Sequence, residues 1–409
     1  MPGEQTVPVP LSHYLDGPIR NGFSPPESAE WTGVQMLGLG CLTPDGFQPR
    51  QLKNAPTGIG LGHAALLKGG DLLMSRANTR DLVGLAGRYR DVGNPCIYPD
   101  LMMRLRPAAN CLPVFLEQLL RSASVRRGIM AAAQGTSESM VKISAPMVAG
   151  LRVPSFSLGN QRRIVELLDA VTEAEGAVEV ASEKLRTMRT GILTDAMQSV
   201  MAVQPAPGWV RVPLKEVVPS VEYGISEALN QDSRGVPTLR MNNLRDGLPE
   251  LRDLRYCPTP VRANILLRPG DVLFNRTNSI DHVGRAGIWN GELPEATFAS
   301  YLVRLNPDTS RLTPEYLVEW LLHPVVRQRV KCIATIAVQQ VNVNPSRLRE
   351  LSIDFPEDLD EQRRLTAGLA ACDRSIAQEN DELSKLRTLK QGLADDLLSG
   401  RVRVDGAVA

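Results

Sequence analysis

The sequence predicts an α+β protein made of two similar globular parts and two long helices. Three observations predict it: a motif that recurs about 200 residues later, short strand-like and helix-like segments in each half, and a heptad pattern that closes each half. A chain of 409 residues also exceeds one ordinary hydrophobic core. We therefore expect globular domains at residues 1–159 and 201–358, and long helices within residues 160–200 and 359–409.

The recurring motif occupies residues 70–87 and 270–287. These segments align without gaps, and ten of their eighteen positions are identical. Further on, Gln161-Arg-Arg is matched by Gln362-Arg-Arg. Repeats in solenoid proteins have periods of roughly 20 to 50 residues, so this much longer period predicts an internal pseudo-two-fold repeat of whole domains. A duplicated fold without functional symmetry is the alternative.

Each globular part mixes strands and helices. Short apolar runs bounded by turn residues, such as Asp71-Leu-Leu-Met and Tyr301-Leu-Val-Arg-Leu, are typical of strands. Two amphipathic stretches, Pro113 to Ala133 and Pro314 to Ile333, begin with proline and predict one helix in each half.

The heptad pattern predicts two coiled-coil helices that pack antiparallel and separate the globular parts, although a helix packed only on its own domain is the alternative. In the first helix the predicted seam is Ile164, Leu167, Val171, Ala174, Val178, Ala181, Leu185, Met188 and Ile192. In the second helix the apolar seam residues are Leu369, Cys372, Ile376, Leu383, Leu386, Leu393 and Leu397, with Glu379 and Lys390 as polar members. Polar seam residues often fix the register and orientation of such helices.

Composition and charge argue against a strongly basic or acidic protein, a zinc- or disulfide-stabilised protein and a membrane-spanning protein. The formal net charge is +1, so an anionic partner must be bound by local patches of charge. Residues 1–159 contain 15 basic and 11 acidic side chains, for a net charge of +4, whereas residues 201–358 contain 18 of each. The six cysteines have no metal-binding spacing. No targeting segment or membrane span is visible, and we expect a cytoplasmic protein.

Motifs for catalysis are absent from the sequence. There is no phosphate-binding Gly-x-x-x-x-Gly-Lys-Ser/Thr loop and no His-Glu-x-x-His motif, and the four histidines are scattered. We therefore predict no catalytic residue, no metal site and no cofactor.

Several segments together resemble a known family. They are Gly270-Asp-Val-Leu-Phe-Asn-Arg276, Val341-Asn-Val-Asn344, Leu351-Ser-Ile-Asp-Phe-Pro356 followed by Glu361-Gln-Arg-Arg364, and a final segment from Leu389 to Arg403. With the two variable globular parts, each followed by a long helix, this set is similar to the specificity subunit of type I restriction-modification systems.

The resemblance implies a non-catalytic DNA-recognition subunit. It implies two target recognition domains, each of which binds one half of a bipartite double-stranded DNA target. The helices would fix the separation of the domains and dock adenine-methyltransferase subunits, two in number, with restriction or translocase subunits left open. An adenine that is methylated must be extruded from the duplex, and the pocket for it would belong to the partner subunit.

Candidate DNA-binding residues are arginines, amides and one lysine in or near loops, because these side chains contact phosphates and base edges. They are Arg76, Asn78, Lys142, Arg240, Asn242, Asn243, Arg276, Asn278, Gln339, Gln340 and Asn342. Those that recur in both halves favour shared structure or phosphate contact over base recognition.

Structural roles are the alternative for the recurring residues. Asn78 and Asn278 would then cap turns, and Arg76 and Arg276 would pair with an aspartate of the same motif. The motif glycines Gly70, Gly87, Gly270 and Gly287 are assigned to backbone turns. For the whole chain, the alternative function is a coiled-coil interaction scaffold with two protein-binding modules and no nucleic-acid role, which the near-zero net charge would fit.

Overall fold

The two halves of the chain that are similar in sequence also have similar structures. A computed structural model of the chain describes residues 8–135, 140–337 and 340–402. It divides into two compact units: the first runs to Val178 and resumes at Asp381, and the second is Glu179–Asn380. Each unit therefore contains one globular domain, one part of the first long helix and one part of the second.

The first half of the chain contains short strands and four helices among its described residues. The strands are β1 (Pro8–Pro10), β2 (Arg20–Asn21), β3 (Gln35–Leu37), β4 (Leu42–Thr43), β5 (Gly46–Phe47), β6 (Leu52–Asn54), β7 (Leu72–Ser75), β8 (Ala77–Asn78), β9 (Ala86–Arg88), β10 (Cys96–Ile97), β11 (Met102–Leu105), β12 (Val141–Lys142) and β13 (Arg152–Pro154). The helices are α1 (Pro113–Arg121), α2 (Ala123–Ala132), α3 (Ala145–Gly150) and α4 (Leu158–Ala196).

The second half repeats this order. Its strands are β14 (Trp209–Pro213), β15 (Glu222–Tyr223), β16 (Val236–Leu239), β17 (Leu244–Arg245), β18 (Leu248–Pro249), β19 (Arg255–Cys257), β20 (Val272–Asn275), β21 (Thr277–Asn278), β22 (Ala286–Ile288), β23 (Thr297–Phe298), β24 (Leu302–Arg304), β25 (Thr335–Ala337), β26 (Gln340–Asn342) and β27 (Ser352–Pro356). Its helices are α5 (Pro314–Leu322), α6 (Pro324–Cys332), α7 (Pro345–Arg349) and α8 (Leu359–Leu398).

The sheets of the two domains have the same topology. The first domain has a four-stranded sheet of order β2-β11-β7-β9 and a three-stranded sheet of order β10-β3-β6. The second domain has β15-β24-β20-β22 and β23-β16-β19. In both, the strand that opens the domain pairs with the strand before the long helix, as β1 with β13 and β14 with β27. This confirms the predicted α+β class and the duplication.

Alternating side chains of the four-stranded sheet enter two different cores. In the first domain Leu72 and Met74 pack with α1 and α2, whereas Leu73, between them, packs in the core of the three-stranded sheet. In the second domain Val272 and Leu273 divide in the same way. Each four-stranded sheet is therefore buried on both faces.

Each predicted amphipathic helix is divided into two helices. In the second domain Pro324 follows His323, whose extended backbone (ψ 131°) ends α5, because the residue before a proline disfavours the helical conformation. In the first domain Ser122 takes the same place, and its hydroxyl donates a hydrogen bond of 2.7 Å to the Leu119 carbonyl. The single long helices predicted here were wrong.

The assignment of all four motif glycines to turns was correct only in part. Gly70 and Gly270 have φ of 92° and 94°, a region that favours glycine. Gly87 and Gly287 instead lie within β9 and β22. A Cβ atom on Gly87 would lie 2.4 Å from the Phe47 backbone nitrogen, so close backbone approach excludes a side chain there.

The two long helices pack against each other in antiparallel fashion within each unit. In the first unit, Lys390 Nζ lies 2.6 Å from Glu175 Oε2. In the second unit, Arg189 Nε lies 2.5 Å from Asp373 Oδ1, and Arg186 Nη2 donates 3.2 Å to Asn380 Oδ1. Residues late in α4 thus meet residues early in α8, as predicted.

The predicted seam of α8 is confirmed, and in α4 seven of the nine predicted seam residues are buried or half-buried, whereas Met188 and Ile192 were wrong. Met188 and Ile192 are exposed, at 47% and 36%. Besides those seven, Leu168, Glu175, Ser182 and Arg189 of α4 are buried or half-buried, so the enclosed face of the helix includes polar residues that the prediction omitted. The sequence pattern missed Glu175, Ser182 and Arg189 because they are polar, and Glu175 and Arg189 pair with charged residues of α8.

A buried glutamine fixes the start of each long helix. Gln161 Oε1 accepts from the Leu112 backbone N–H at 2.8 Å, and its Nε2 donates to the Asn110 and Phe156 carbonyls at 2.8 and 3.0 Å. Gln362 makes the equivalent three bonds, to the Thr313 N–H and to the carbonyls of residues 311 and 356. Both side chains are fully buried. One amide therefore joins α4 to the start of α1, and the other joins α8 to the start of α5.

None of the described helices has a stretch long and apolar enough to cross a membrane.

We expect Gln362→Leu to lower the free energy of unfolding by about 3 kcal/mol, because it leaves one N–H and two carbonyls buried without partners. Urea denaturation monitored by circular dichroism measures this. Arg162→Ala, at an exposed position, is the control and should change stability by less than about 0.5 kcal/mol. Equal midpoints for the two variants would show that the glutamine is not structural.

We expect Arg189→Leu to destabilise the protein by about 3 to 5 kcal/mol, because Glu319 and Asp373 lose their shared cation. Arg186→Leu, at a side chain that is 46% exposed, should cost less than about 1 kcal/mol. Burial already raises the pKa of Glu319, and loss of the guanidinium raises it further. A raised carboxyl pKa in the folded state favours folding as the pH falls, so the deficit of Arg189→Leu should shrink between about pH 8 and about pH 5. A deficit that is constant over this range would contradict the assignment.

Candidate nucleic-acid interface

The first domain places Asn78 and Lys142 on the paired strands β8 and β12, and Arg76 directly before β8. Arg76 follows β7, and its Nη1 donates 3.3 Å to the Asp100 carbonyl. The Asn78 Oδ1 atom accepts from the next backbone N–H at 2.9 Å, so this side chain caps a turn. Lys142 lies opposite Ala77 in the β8–β12 pairing, and its side chain is exposed.

The second domain builds a more enclosed site around Arg276. Nη1 donates 3.3 Å to the Ser300 carbonyl, and Nη2 donates 3.1 Å to Asn342 Oδ1. The guanidinium carbon lies 5.4 Å from the centre of the Tyr223 ring, within the range of a cation–π contact. The buried Nε has no hydrogen-bond partner. These contacts hold the guanidinium in one plane.

The segment 240–243 joins this site through one carbonyl. The Met241 carbonyl accepts from Asn275 Nδ2 at 2.7 Å and from Asn278 Nδ2 at 3.4 Å. Asn278 also caps its own turn, since its Oδ1 accepts from the Ser279 N–H at 2.8 Å. The structure thus brings together the sequence-predicted segments around residues 241, 276 and 342.

Within residues 240–243 the side chains have different environments. Asn243 is fully buried: its Oδ1 accepts from the Arg240 N–H at 3.0 Å, and its Nδ2 donates to the Glu250 carbonyl at 2.8 Å. Arg240 Nη2 lies 2.9 Å from Asp253 Oδ2, and this hydrogen bond lowers the pKa of Asp253. Asn242 is exposed. Asn243 therefore holds the turn, and Asn242 presents its amide to solvent.

Gln340 and Asn342 lie on β26, which pairs antiparallel with β25. Gln340 is exposed, and Asn342 is half-buried against Arg276. Gln339 lies outside the described residues.

The aspartates of the repeated motif do not pair with Arg76 or Arg276. Asp71 pairs with Arg104 at 3.3 Å, and Asp271 with Arg304 at 2.7 Å. Both arginines are buried. Burial opposes the charge of Arg304, but hydrogen bonds to Glu222 and Asp271 raise its pKa above the ordinary value. These ion pairs belong to the fold, and they leave Arg76 and Arg276 free of an acidic partner among the residues described.

Tyr223 is the site residue that sequence reasoning missed. It lies on the two-residue strand β15, half exposed over Arg276. The first domain has Asn21 at the equivalent strand position, so the repeat gave no signal. Across residues 8–135, 140–337 and 340–402, no group of three or more potential metal ligands occurs.

The chain is similar to known proteins in sequence. It is 28% identical over 194 residues to a putative type I restriction enzyme MjaX specificity subunit of Methanocaldococcus jannaschii, a match that covers 47% of this chain and 45% of that protein. It is 22% identical over 316 residues to the type I restriction enzyme EcoKI specificity subunit of Escherichia coli K12, covering 73% and 67%. The aligned part of the chain thus spans about half the length of the first relative. No protein-family model matches the chain.

Solved structures show the same fold. A chain from a structure of type I R-M system assembly and conformational transition aligns over 98% of this chain and 100% of its own length, with a TM-score of 0.62 and 20% identity. The S subunit of a type I system from M. genitalium aligns over 96% of both chains, with a TM-score of 0.51 and 14% identity. The comparisons confirm the resemblance to type I specificity subunits.

We expect Asn243→Ala to lower the free energy of unfolding by about 2 kcal/mol, because the Arg240 N–H and the carbonyls of Glu250 and Arg252 lose their shared partner. Its neighbour provides the matched control, since Asn242→Ala changes an exposed amide and should shift stability by less than about 0.5 kcal/mol. Thermal unfolding of the two variants compares them directly. Similar losses in both would remove the distinction between the turn residue and the exposed amide.

Proposed function

We propose that this relative of type I specificity subunits is the DNA sequence-specificity subunit of a type I restriction-modification complex and catalyses no reaction itself. Residues 1–159 and 201–358 would be the two target recognition domains, and each would bind one half of a bipartite double-stranded DNA target. The observation that carries this proposal is the repetition of one topology in both domains, with an arginine held in the same way at the same place in each.

The chemistry of the two sites fits contact with a duplex. Guanidinium and ammonium groups bind phosphates, while guanidinium and amide groups match the donor and acceptor pattern of base edges. The exposed or half-buried members of the predicted set have this chemistry and are accessible: Arg76, Asn78, Lys142, Arg240, Asn242, Arg276, Asn278, Gln340 and Asn342. Two domains of one fold on one chain suit a target made of two half-sites.

Catalysis would come from partners. The helical segments 160–200 and 359–409 would dock adenine-methyltransferase subunits, and two equivalent helix–domain junctions favour two such subunits. Each junction contains a pocket lined by four cationic and several acidic side chains, Arg189 in the second unit and Lys390 in the first among them. A restriction or translocase subunit would complete a nuclease. No cofactor is assigned to this chain.

The test is to co-express the full chain with an adenine methyltransferase encoded beside it, in a host without adenine methylation, and to sequence the genome for methylated adenines. We expect a single bipartite motif, and we expect no such motif when the methyltransferase is expressed alone. Arg276→Ala should change the sequence of only one half of the motif, because its contacts lie within the second domain. Methylation that is unaffected by removing this chain would refute the proposal. An affinity for a protein partner without any preference for DNA would favour an interaction scaffold instead.

A further inference from the structure

We propose that the two domains use their equivalent arginines for different contacts: Arg76 with Lys142 binds DNA phosphate, whereas Arg276 with Tyr223 and Asn342 recognises a base edge. This inference rests on the proposed function and assigns a role to each half of it.

The two positions are equivalent in detail. Arg76 and Arg276 each donate from Nη1 to a backbone carbonyl, at 3.3 Å in both domains. Each arginine carbonyl accepts from a backbone N–H of the neighbouring strand segment, at 3.0 Å from Ile143 and at 2.8 Å from Val343. Because the two arginines occupy equivalent backbone positions, different neighbouring side chains give them different chemical environments.

Two neighbours of the arginine differ between the domains. Lys142 lies opposite Ala77 in the first domain, and Asn342 lies opposite Thr277 in the second, so a cation replaces an amide at the same register position. On the other side, β2 pairs with β11 as β15 pairs with β24, which makes Asn21 the counterpart of Tyr223.

In the second domain these neighbours fix the direction of the guanidinium. A guanidinium carries five N–H donors. Ser300 and Asn342 each take one terminal N–H, the buried Nε takes no part, and one N–H on each terminal nitrogen remains. Two terminal N–H groups of one planar guanidinium can together contact the O6 and N7 atoms of guanine, the commonest specific arginine contact. The ring of Tyr223, half exposed, lies beside this guanidinium, with its centre 5.4 Å from the guanidinium carbon.

In the first domain the equivalent position has two cationic side chains, Arg76 and Lys142, with few contacts that restrict their conformation. Arg76 makes one side-chain hydrogen bond, to the Asp100 carbonyl, and the carboxylate of Asp100 accepts from the Ser24 hydroxyl at 2.5 Å. Neither Arg76 nor Lys142 forms an ion pair with any residue in the described ranges. Two positive charges without an acidic partner among the described residues suit a phosphate, which is recognised by charge and not by edge pattern.

The surrounding charge differs in the same direction. Arg20 on β2 is exposed and lies opposite Arg104, whereas its counterpart on β15 is Glu222, paired with Arg304. Residues 1–159 carry a net charge of +4, against zero for residues 201–358. Electrostatic attraction to the duplex is therefore concentrated in the first domain.

The experiment uses the full chain in complex with its methyltransferase and a duplex that carries the methylated motif. Affinity is measured by fluorescence anisotropy at several salt concentrations and against duplexes with single base-pair substitutions. Arg76→Lys and Arg276→Lys form the matched pair, because both keep the charge and lose the planar fork. Thermal unfolding of every variant checks that it folds.

We expect Arg276→Lys to reduce discrimination at one base pair of one half-site by roughly 5- to 150-fold while the salt dependence stays unchanged. We expect Arg76→Lys to leave discrimination unchanged. Lys142→Asn should weaken binding to all duplexes equally and reduce the slope of log K against log salt by about 0.9, the value of one phosphate contact. Tyr223→Leu should act like Arg276→Lys, only more weakly.

Equal loss of discrimination in Arg76→Lys and Arg276→Lys, or an unchanged salt slope in Lys142→Asn, would overturn this inference. If the wild-type complex prefers no bipartite sequence at all, the proposed function itself fails. The sequence preference of the wild-type complex therefore distinguishes failure of this inference from failure of the proposed function.

Discussion

Each long helix has in its first turn a glutamine that is fully buried. The side-chain amides of Gln161 and Gln362 each complete three backbone groups that no helix or strand satisfies, at the point where a domain helix starts. Because a buried backbone group without a partner costs about 1 to 3 kcal/mol, this arrangement permits few alternatives for the direction of the long helix. The orientation of each long helix relative to its own domain follows from this set of hydrogen bonds.

Charge then fixes which turns of the two helices meet within each unit. Lys390 and Arg189 are equivalent in the repeat, at an offset of 201, and each enters the helix–helix seam beside a carboxylate of the other helix. With an apolar seam, one helix can shift along the other by a heptad and keep similar contacts. A half-buried cation, in contrast, lies beside a carboxylate in only one register of the two helices. In the second unit Arg189 also reaches Glu319 of α5, so the same residue connects the helix pair to the domain. Polar contacts of this kind stabilise a seam less than apolar packing does, but they define which residues of the two helices meet.

The sequence alone predicted the duplication, the fold class and the two long helices, because repeats and heptads are properties of residue order. Its predictions were wrong at positions where contacts with residues distant in the sequence determine whether a side chain is buried. The α4 seam includes Glu175 and Arg189, whose partners lie on a helix two hundred residues away, and a hydrophobic pattern cannot detect them. Asn243 and Asn242 are identical in type, yet one is enclosed and the other exposed. Tyr223 was missed because an aromatic residue on a two-residue strand carries no periodic signal.

A duplicated chain provides its own comparison. Positions that agree between the copies, such as the Asp71–Arg104 and Asp271–Arg304 pairs, make contacts inside the fold. Positions that differ at the same backbone site, Lys142 against Asn342 and Asn21 against Tyr223, lie beside an arginine whose backbone setting is shared. In the proposed function, two half-sites of different sequence would account for these substitutions. They surround a guanidinium that both copies share, so the scaffold holds the arginine while its neighbours set its chemical surroundings.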